Sequence, residues 1–244
     1  MDDLQRALAS VAETPRLLVT SDFDGTLAPI VNNPSDARAL PAAAEALVAL
    51  AELPDTTAAL ISGRALGVLR ELSGMPDTVH LVGSHGAEFD TGFVREIDTA
   101  LLDTMIATLR AIADGRPGVT VETKPASVAL HVRNAAAADG DSALAAAREA
   151  AAGWDAHLTT GKAVLEFAVI VTDKGEAVDT LRDRHDATAV VFLGDDVTDE
   201  KAFRRMRDTD LGVKVGPGET LARYRVSTPD DVAEVLRFLV QARS

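Results

Sequence analysis

The chain has 244 residues, of which 47% are hydrophobic, a length that suits one large domain or one domain carrying a smaller insertion. It contains no cysteine, which excludes disulfides, thiolate metal sites and a cysteine nucleophile and is compatible with a reducing compartment. Its net charge of −14 makes nucleic acid and anionic membranes poor partners, and the sequence shows no signal peptide or membrane-spanning run, so we expect a cytoplasmic protein.

The first third of the chain predicts the opening half of an α/β core. Residues 17–19, 58–61 and 79–82 are short apolar runs, and residues 41–53 form an alanine- and leucine-rich helix pattern with a proline in its first turn. Each run is followed by Gly, Asp, Ser or His, as is typical of buried parallel strands that end at a ligand site. The polar residues after these strands are therefore expected to meet at one edge of the sheet.

The middle of the chain, residues 90–172, predicts a different kind of fold. Polar and apolar residues alternate over short segments separated by turn residues, which indicates hairpins of an antiparallel sheet with helices on one face. We interpret this stretch as an α+β domain inserted into the core. Its predicted elements are a helix from about residue 99, strands 118–123 and 128–133 around a turn at 124–127, a helix over 135–153, and strands 157–160 and 163–167 around a turn.

The last third returns to the α/β pattern. Apolar runs at 190–193 and 211–215 predict two more parallel strands. Helices are predicted over 174–185, 197–207 and 229–241, the last of which begins at a proline. The core is thus predicted to comprise residues 1–89 and 173–244, with a parallel sheet covered by helices on both faces.

Two carboxylates follow the first predicted strand, in the segment Asp22-Phe23-Asp24-Gly25-Thr26-Leu27. Neighbouring carboxylates repel unless a cation or a proton lies between them. Gly25 permits a tight turn that aims backbone N–H groups at an anion. A carboxylate nucleophile needs no deprotonation at neutral pH, so Asp22 is a candidate for a covalent aspartyl-phosphate. Taken alone, the pair is more typical of a turn or a helix cap.

A second acidic segment, Gly194-Asp195-Asp196-Val197-Thr198-Asp199-Glu200, follows the fourth predicted core strand. Oxygen ligands without cysteine or clustered histidine favour Mg²⁺ over zinc. An acidic first turn of a helix, stabilised by the helix dipole, is the alternative, and it suits Asp199 and Glu200 better than the Gly-Asp-Asp start.

These motifs, in this order, resemble the haloacid dehalogenase-like phosphatases. The resemblance covers the whole chain and implies an α/β, Rossmann-like core with an inserted cap domain. It implies that Asp22 is the nucleophile and that Asp24 is the general acid and base, protonating the leaving alkoxide and then activating water.

The same resemblance implies the metal and phosphate ligands. Mg²⁺ would be bound by Asp22, the backbone of Asp24, and Asp195, with Asp196 and Asp199 as second candidates. The expected phosphate-binding residues are Gly25, Ser62, Arg64 and Lys174.

A narrower resemblance is to the trehalose-6-phosphate phosphatases. It rests on Ser62-Gly63-Arg64, on Gly83-Ser84-His85-Gly86-Ala87-Glu88, on the segments 122–124, 131–133 and 161–166, and on Ala202-Phe203 after the second acidic segment. It implies a phosphosugar substrate whose hydroxyls are bound by carboxylates and cations. The expected sugar-binding residues are His85, Glu88, Glu122, Lys124, His131, Arg133 and Glu166.

The sequence departs from this family at one point and leaves alternatives open. Many relatives have Arg-Pro shortly after the carboxylate that corresponds to Glu166, where this chain has Phe167-Ala168-Val169-Ile170. Glu122 with Lys124, and His131 with Arg133, are alternatively exposed polar pairs of a sheet surface. A phosphatase for sucrose phosphate or mannosyl phosphoglycerate, and a phosphosugar-binding regulator without turnover, are the rival functions. We expect a monomer whose inserted domain serves as a lid.

Overall fold

The computed structural model describes residues 3–244. The chain divides into two compact units, Met1–Gly92 with Thr172–Ser244, and Phe93–Val171, which we call the core and the inserted domain. The corresponding sequence-based boundaries were 1–89 with 173–244, and 90–172; residues 1 and 2 lie outside the described part.

The core contains an eight-stranded sheet in the order β12-β11-β10-β1-β2-β3-β4-β5. Neighbouring strands from β12 to β3 are parallel, and β4 pairs antiparallel with β3. The α/β class and the five predicted parallel strands are therefore confirmed. The strands are β1 Leu17–Ser21, β2 Thr56–Ile61, β3 His80–Gly83, β4 Glu88–Phe89, β5 Gly92–Phe93, β10 Ala189–Gly194, β11 Leu211–Val215 and β12 Tyr224–Val226.

The register of the central strands places the predicted motifs side by side. Ser21, the last residue of β1, pairs with Leu193 of β10 and with Leu60 of β2. The segments that follow these three strands begin with Asp22, Asp195 and Ser62. Because the strands run in parallel, all three segments leave the sheet at the same edge, as the sequence predicted.

Helices cover the core sheet. Leu17 and Val19 of β1 lie in one apolar cluster with residues of α1, α2 and α8, and alternate residues of the strand face the other side. Among residues 3–244, no helix combines the length and the apolar character needed to cross a bilayer. The core helices are α1 Asp3–Ala12, α2 Pro41–Glu52, α3 Leu66–Ser73, α6 Lys174–Arg184, α7 Glu200–Arg204 and α8 Pro229–Arg243.

The helix predicted over 197–207 is wrong in its first turn and too long at its end. The structure has a helix only at Glu200–Arg204, and residues 195–199 form a turn. The Asp199 carboxylate accepts the N–H groups of Asp195 and Asp196, both at 2.9 Å, and these bonds stabilise the turn in place of a helix. Helices α1 and α3 and the short strands β4, β5 and β12 were not predicted.

The inserted domain has a four-stranded antiparallel sheet in the order β6-β7-β9-β8, with two helices packed on one face. Lys124 pairs with Ser127, so the first hairpin turn contains only residues 125 and 126, and β7 ends at His131, two residues earlier than predicted. The elements are α4 Thr99–Ala113, β6 Thr120–Lys124, β7 Ser127–His131, α5 Ala137–Ala150, β8 His157–Gly161 and β9 Val164–Ala168.

Candidate active site

The centre of the candidate site is a buried lysine between two aspartates. Lys174 is the first residue of α6, and its Nζ lies 2.8 Å from Oδ1 of Asp22 and 2.7 Å from Oδ1 of Asp199. The side chains are 3%, 6% and 0% exposed, respectively. A buried cation shared by two carboxylates is stable only as a fully paired group. The sequence identified Lys174 and Asp22 but gave no reason to pair the lysine with Asp199.

Burial perturbs the protonation of this group. The pKa of Asp22 is raised to about 8, because burial and the charge of Asp199 outweigh the lowering effect of Lys174. Burial lowers the pKa of Lys174, but the charges of Asp22 and Asp199 outweigh that effect and raise the pKa above the usual value. Burial also raises the pKa of Asp195, with Asp199 adding to the increase. The raised pKa values of Asp22 and Asp195 indicate that Lys174 alone does not compensate for holding all three carboxylates ionised at this site.

Asp22, Asp195 and Asp199 form a group that fits a metal ion. One oxygen atom from each lies within 4.8 Å of the others. The donors are all carboxylates, the ligands that Mg²⁺ prefers. Asp196, predicted as a ligand, lies outside this group: its side chain is exposed and its Oδ1 accepts the N–H of Val197 at 2.7 Å. Asp199, the second candidate, lies inside it.

Asp195 is fixed by contacts with two parts of the core, the loop after β1 and strand β11. Thr26 donates its hydroxyl to Oδ1 at 3.3 Å, and Lys214 of β11 donates from Nζ to the backbone oxygen at 2.5 Å. Gly25, at φ +83°, lies so close to the Asp195 carboxylate that a side chain there would overlap it. Sequence reasoning missed Lys214, although a lysine within an otherwise apolar strand is a recognisable signal.

Asp24, the predicted general acid and base, is held by Arg64. Nε and Nη2 of Arg64 donate to Oδ2 and Oδ1 of Asp24 at 2.6 and 2.7 Å, a bidentate pair. Nη2 also donates to the backbone oxygen of Pro34 at 2.8 Å. The hydrogen bond with Asp24 raises the pKa of Arg64. The guanidinium that was predicted to bind phosphate thus contacts Asp24 in this structure.

The remaining predicted core residues lie in two loops that touch each other. Ser62 is 1% exposed and its hydroxyl oxygen accepts the N–H of Arg64 at 3.2 Å. His85 lies in the loop after β3, and its N–H donates to the Ser62 backbone oxygen at 2.9 Å. Glu88, predicted to bind sugar, is only 8% exposed, and its Oε2 accepts hydrogen bonds from Leu66 and Ser84.

The predicted sugar-binding residues of the inserted domain lie on one sheet face, opposite its helices, with one exception. Ala129 pairs with both Glu122 and Glu166, which places the two carboxylates in one row across the sheet. Lys124 donates from Nζ to Oε1 of Glu166 at 3.0 Å. The exception, Arg133, lies in an exposed turn beyond β7.

Two further contacts define this polar sheet face. His131 Nε2 lies 2.9 Å from Oε2 of Glu122, and Ser127, which the sequence did not indicate, donates its hydroxyl to Oε1 of Glu166 at 2.7 Å. In the segment where the sequence departs from the family pattern, Phe167 is buried in the domain core and packs edge-to-face against Trp154, with ring centroids 5.2 Å apart.

The chain is similar in sequence to known proteins. Residues 20–230 match the family described as Trehalose-phosphatase. The chain is 34% identical to the trehalose-phosphate phosphatase of Mycobacterium leprae over all of its own length and 63% of that protein. It is also 34% identical to an uncharacterized glycosyl hydrolase of Mycobacterium tuberculosis, over 94% of this chain and 19% of that protein. The chain therefore spans less than two thirds of the length of these relatives.

A solved structure shows the same fold. The C-terminal domain of the Candida albicans trehalose-6-phosphate phosphatase superposes with a TM-score of 0.75 at 24% identity, covering 98% of this chain and 97% of that domain. The fold, with aspartates after its first strand and a buried lysine beside them, defines a haloacid dehalogenase-like protein. Within that class, the chain belongs to the Trehalose-phosphatase family.

Proposed function

We propose that this chain hydrolyses trehalose 6-phosphate to trehalose and phosphate through an aspartyl-phosphate on Asp22. The observation that carries the proposal is the arrangement of buried Asp22, Lys174 and Asp199 with partly buried Asp195 at the carboxyl edge of the sheet. A merely structural role would not require this concentration of buried negative charge next to Asp24, the second aspartate of the motif. Family membership and the polar sheet face of the inserted domain support the choice of substrate.

The metal in this proposal is Mg²⁺. The carboxylates of Asp22, Asp195 and Asp199 fit it by donor type and spacing, and the family resemblance adds the backbone of Asp24. Bound there, Mg²⁺ would reduce the repulsion between the anionic nucleophile and the anionic phosphoryl group.

The reaction then uses two aspartates in succession. The Asp22 carboxylate attacks phosphorus and forms an acyl-phosphate as the bond from phosphorus to the sugar oxygen breaks. Asp24 supplies the proton that the departing sugar oxygen requires. Asp24 then accepts a proton from water as that water attacks phosphorus, which releases phosphate and restores the Asp22 carboxylate. Lys174 and Ser62 stabilise the phosphoryl oxygens by charge and hydrogen bonding.

The sugar is assigned to the polar sheet face of the inserted domain. Glu122, Lys124 and Glu166 share that face and are partly exposed, so their polar atoms are within reach of a solute. Carboxylate and ammonium groups form directional hydrogen bonds with sugar hydroxyls.

A substrate panel tests the proposal. Phosphate release would be measured from trehalose 6-phosphate, sucrose 6-phosphate, mannosyl phosphoglycerate and p-nitrophenyl phosphate, each with Mg²⁺ and with excess chelator. We expect the highest kcat/KM for trehalose 6-phosphate, loss of activity with chelator and recovery on adding Mg²⁺. Isothermal titration calorimetry of the metal-free protein should show Mg²⁺ binding that Asp195→Asn weakens at least tenfold.

Each other outcome has a defined meaning. Preference for another sugar phosphate would overturn the substrate assignment and leave the reaction in place. Undiminished turnover in chelator would contradict the metal assignment. Binding of trehalose 6-phosphate without any phosphate release would favour the regulator alternative.

A further inference from the structure

The loop between β3 and β4, residues 84–87, has a strained backbone. Ser84 and His85 both have positive φ angles, 51° and 56°, and Gly86 follows at 110°. Consecutive left-handed conformations are unfavourable for residues with a Cβ atom. Such strain persists only where the surrounding structure enforces it, and it concentrates at functional sites.

Glu88 supplies the bonds that hold this loop. Its Oε2 accepts the Ser84 hydroxyl at 2.7 Å and the backbone N–H of Leu66 at 2.9 Å. Leu66 is the first residue of α3, so the carboxylate lies at a helix N-terminus, where the helix dipole stabilises negative charge. Glu88 therefore ties the strained loop to the start of α3, directly after the Ser62-Gly63-Arg64 segment.

The same loop contacts both segments that carry the predicted phosphate-binding groups. On one side, Ser84 and His85 donate their N–H groups to the backbone oxygens of Arg64 and Ser62 at 2.7 and 2.9 Å. On the other side, Gly86 packs against Asp173, the residue before Lys174. A Cβ atom at Gly86 would lie only 2.7 Å from the Asp173 backbone oxygen.

We propose that Glu88 is a positioning residue for phosphoryl binding, and that it does not contact the sugar as the sequence suggested. By holding the loop against Ser62 on one side and against Asp173 on the other, it sets the placement of Ser62 relative to Lys174. This inference rests on the proposed phosphatase function. Its consequence is that loss of the Glu88 bonds lowers turnover of every phosphate ester by a similar factor.

The test compares Glu88→Met with Glu88→Gln. Methionine has a similar volume but no oxygen acceptor, whereas the glutamine carbonyl can still accept both hydrogen bonds. We expect Glu88→Met to lower kcat/KM roughly tenfold to a hundredfold, because small misplacements of binding groups cost that much. The loss should be the same for trehalose 6-phosphate and p-nitrophenyl phosphate, and the Ki of inorganic phosphate should rise. Glu88→Gln should stay within about threefold of wild type, because it keeps both bonds.

Two controls separate positioning from general destabilisation. Thr228→Ala removes the side-chain cap of α8 in the same domain, and should lower Tm without raising the phosphate Ki. Ser84→Ala removes one of the two hydrogen bonds to Glu88 and should lower kcat/KM by a smaller factor that is the same for both esters. If Glu88→Met does not fold, Ser84→Ala tests the proposal in its place.

Three outcomes would overturn the proposal. A loss confined to trehalose 6-phosphate, with an unchanged phosphate Ki, would make Glu88 a sugar contact. Equal losses in the methionine and glutamine variants would show that the charge acts directly. Unchanged kinetics in Glu88→Met and Ser84→Ala would show that the loop needs no such support. Failure of the wild type to hydrolyse either ester would instead refute the proposed function.

Discussion

Each domain contains a lysine–carboxylate pair of nearly the same length, in a different environment. In the core, Lys174 lies 2.8 Å from Asp22, and both side chains are at most 6% exposed. In the inserted domain, Lys124 lies 3.0 Å from Glu166, and the side chains are 30% and 32% exposed. The distances are similar, but the solvent exposure differs. The two pairs are therefore expected to differ in their contribution to stability and in the role that each can serve.

Solvent exposure determines how strongly each pair is constrained. An exposed pair contributes about 0–1 kcal/mol and exchanges readily with other partners, including sugar hydroxyls. Removing one partner of a buried pair costs about 3–5 kcal/mol, because a charge is left without compensation. The buried pair is thus suited to holding reacting groups in one geometry, and the exposed pair to recognising a ligand.

The largest effect is expected at the buried pair. Asp22→Asn should reduce turnover at least about ten-thousandfold on every ester, because an amide does not form the acyl-phosphate. The measurement is phosphate release, with intact-mass detection of the phosphorylated wild-type protein. Substantial activity in the purified variant would contradict the assignment of the nucleophile.

The pair of Arg64 and Asp24 is intermediate in exposure, with side chains 15% and 33% exposed. If Arg64 orients Asp24 for proton transfer, Arg64→Lys should lose the bidentate geometry. We expect kcat to fall about thirtyfold with trehalose 6-phosphate, and much less with p-nitrophenyl phosphate, whose leaving group hardly needs a proton.

The same variant also tests the sequence-based role of Arg64. Equal losses on both esters, together with weaker inhibition by inorganic phosphate, would show that Arg64 binds phosphate as the sequence predicted. Asp24→Asn provides the reference for the leaving-group dependence.

A smaller effect is expected at the exposed pair. Glu166→Ala should lower kcat/KM for trehalose 6-phosphate about tenfold, because sugar binding contributes to reaching the transition state. The loss on p-nitrophenyl phosphate should be clearly smaller, since that ester carries no sugar. Glu122→Ala, in the same row of the sheet, should show the same pattern. Equal losses of kcat/KM on the two esters would show that both residues maintain the structure and do not recognise sugar. The exposed pair would then have no role in ligand binding that distinguishes it from the buried pair.

The sequence predicted which residues lie at the candidate site better than it predicted which of them contact each other. Parallel strands end at one edge, so strand assignment sufficed to bring Asp22, Ser62 and Asp195 to the same edge. Side-chain partners depend on loop geometry and on packing between distant segments, which periodicity does not report. The partners of Lys174 and Arg64 were therefore found only in the structure.

The same limitation applies to two acidic residues. Asp199 was interpreted as part of an acidic helix turn or as a second candidate metal ligand, and the structure adds Lys174 as a buried partner that local patterns do not indicate. Glu88 was predicted to bind sugar from its motif, and the structure shows its carboxylate buried and hydrogen-bonded within the core. In both cases, the structure adds buried contacts that charge and motif alone do not indicate.

The smallest expected effect concerns a histidine pair of the core. The ring centroids of His80 and His185 lie 4.5 Å apart, and His185 is the C-cap of α6, the helix that begins at Lys174. Burial lowers the pKa of His185, with His80 and Arg184 adding to the decrease and Asp90 opposing it. The folded protein therefore binds fewer protons at this site than the unfolded chain, so stability falls as the pH drops from about 6.5 through the lowered pKa.

His185→Asn should remove this contribution. Relative to wild type, the variant should gain on the order of 1–2 °C in Tm between pH 7.5 and pH 5, because one proton-linked penalty is absent. His157→Asn, which removes an exposed histidine from β8, is the control and should leave that difference close to zero. Thermal unfolding across this pH range measures both. If His185→Asn leaves the pH dependence of Tm unchanged, pKa shifts caused by burial in the core are confined to the aspartates around Lys174. If Tm of the variant depends less steeply on pH than Tm of the wild type, burial also shifts pKa values in the core away from the candidate active site. The contrast between the core and the exposed sheet face of the inserted domain would then extend beyond that site.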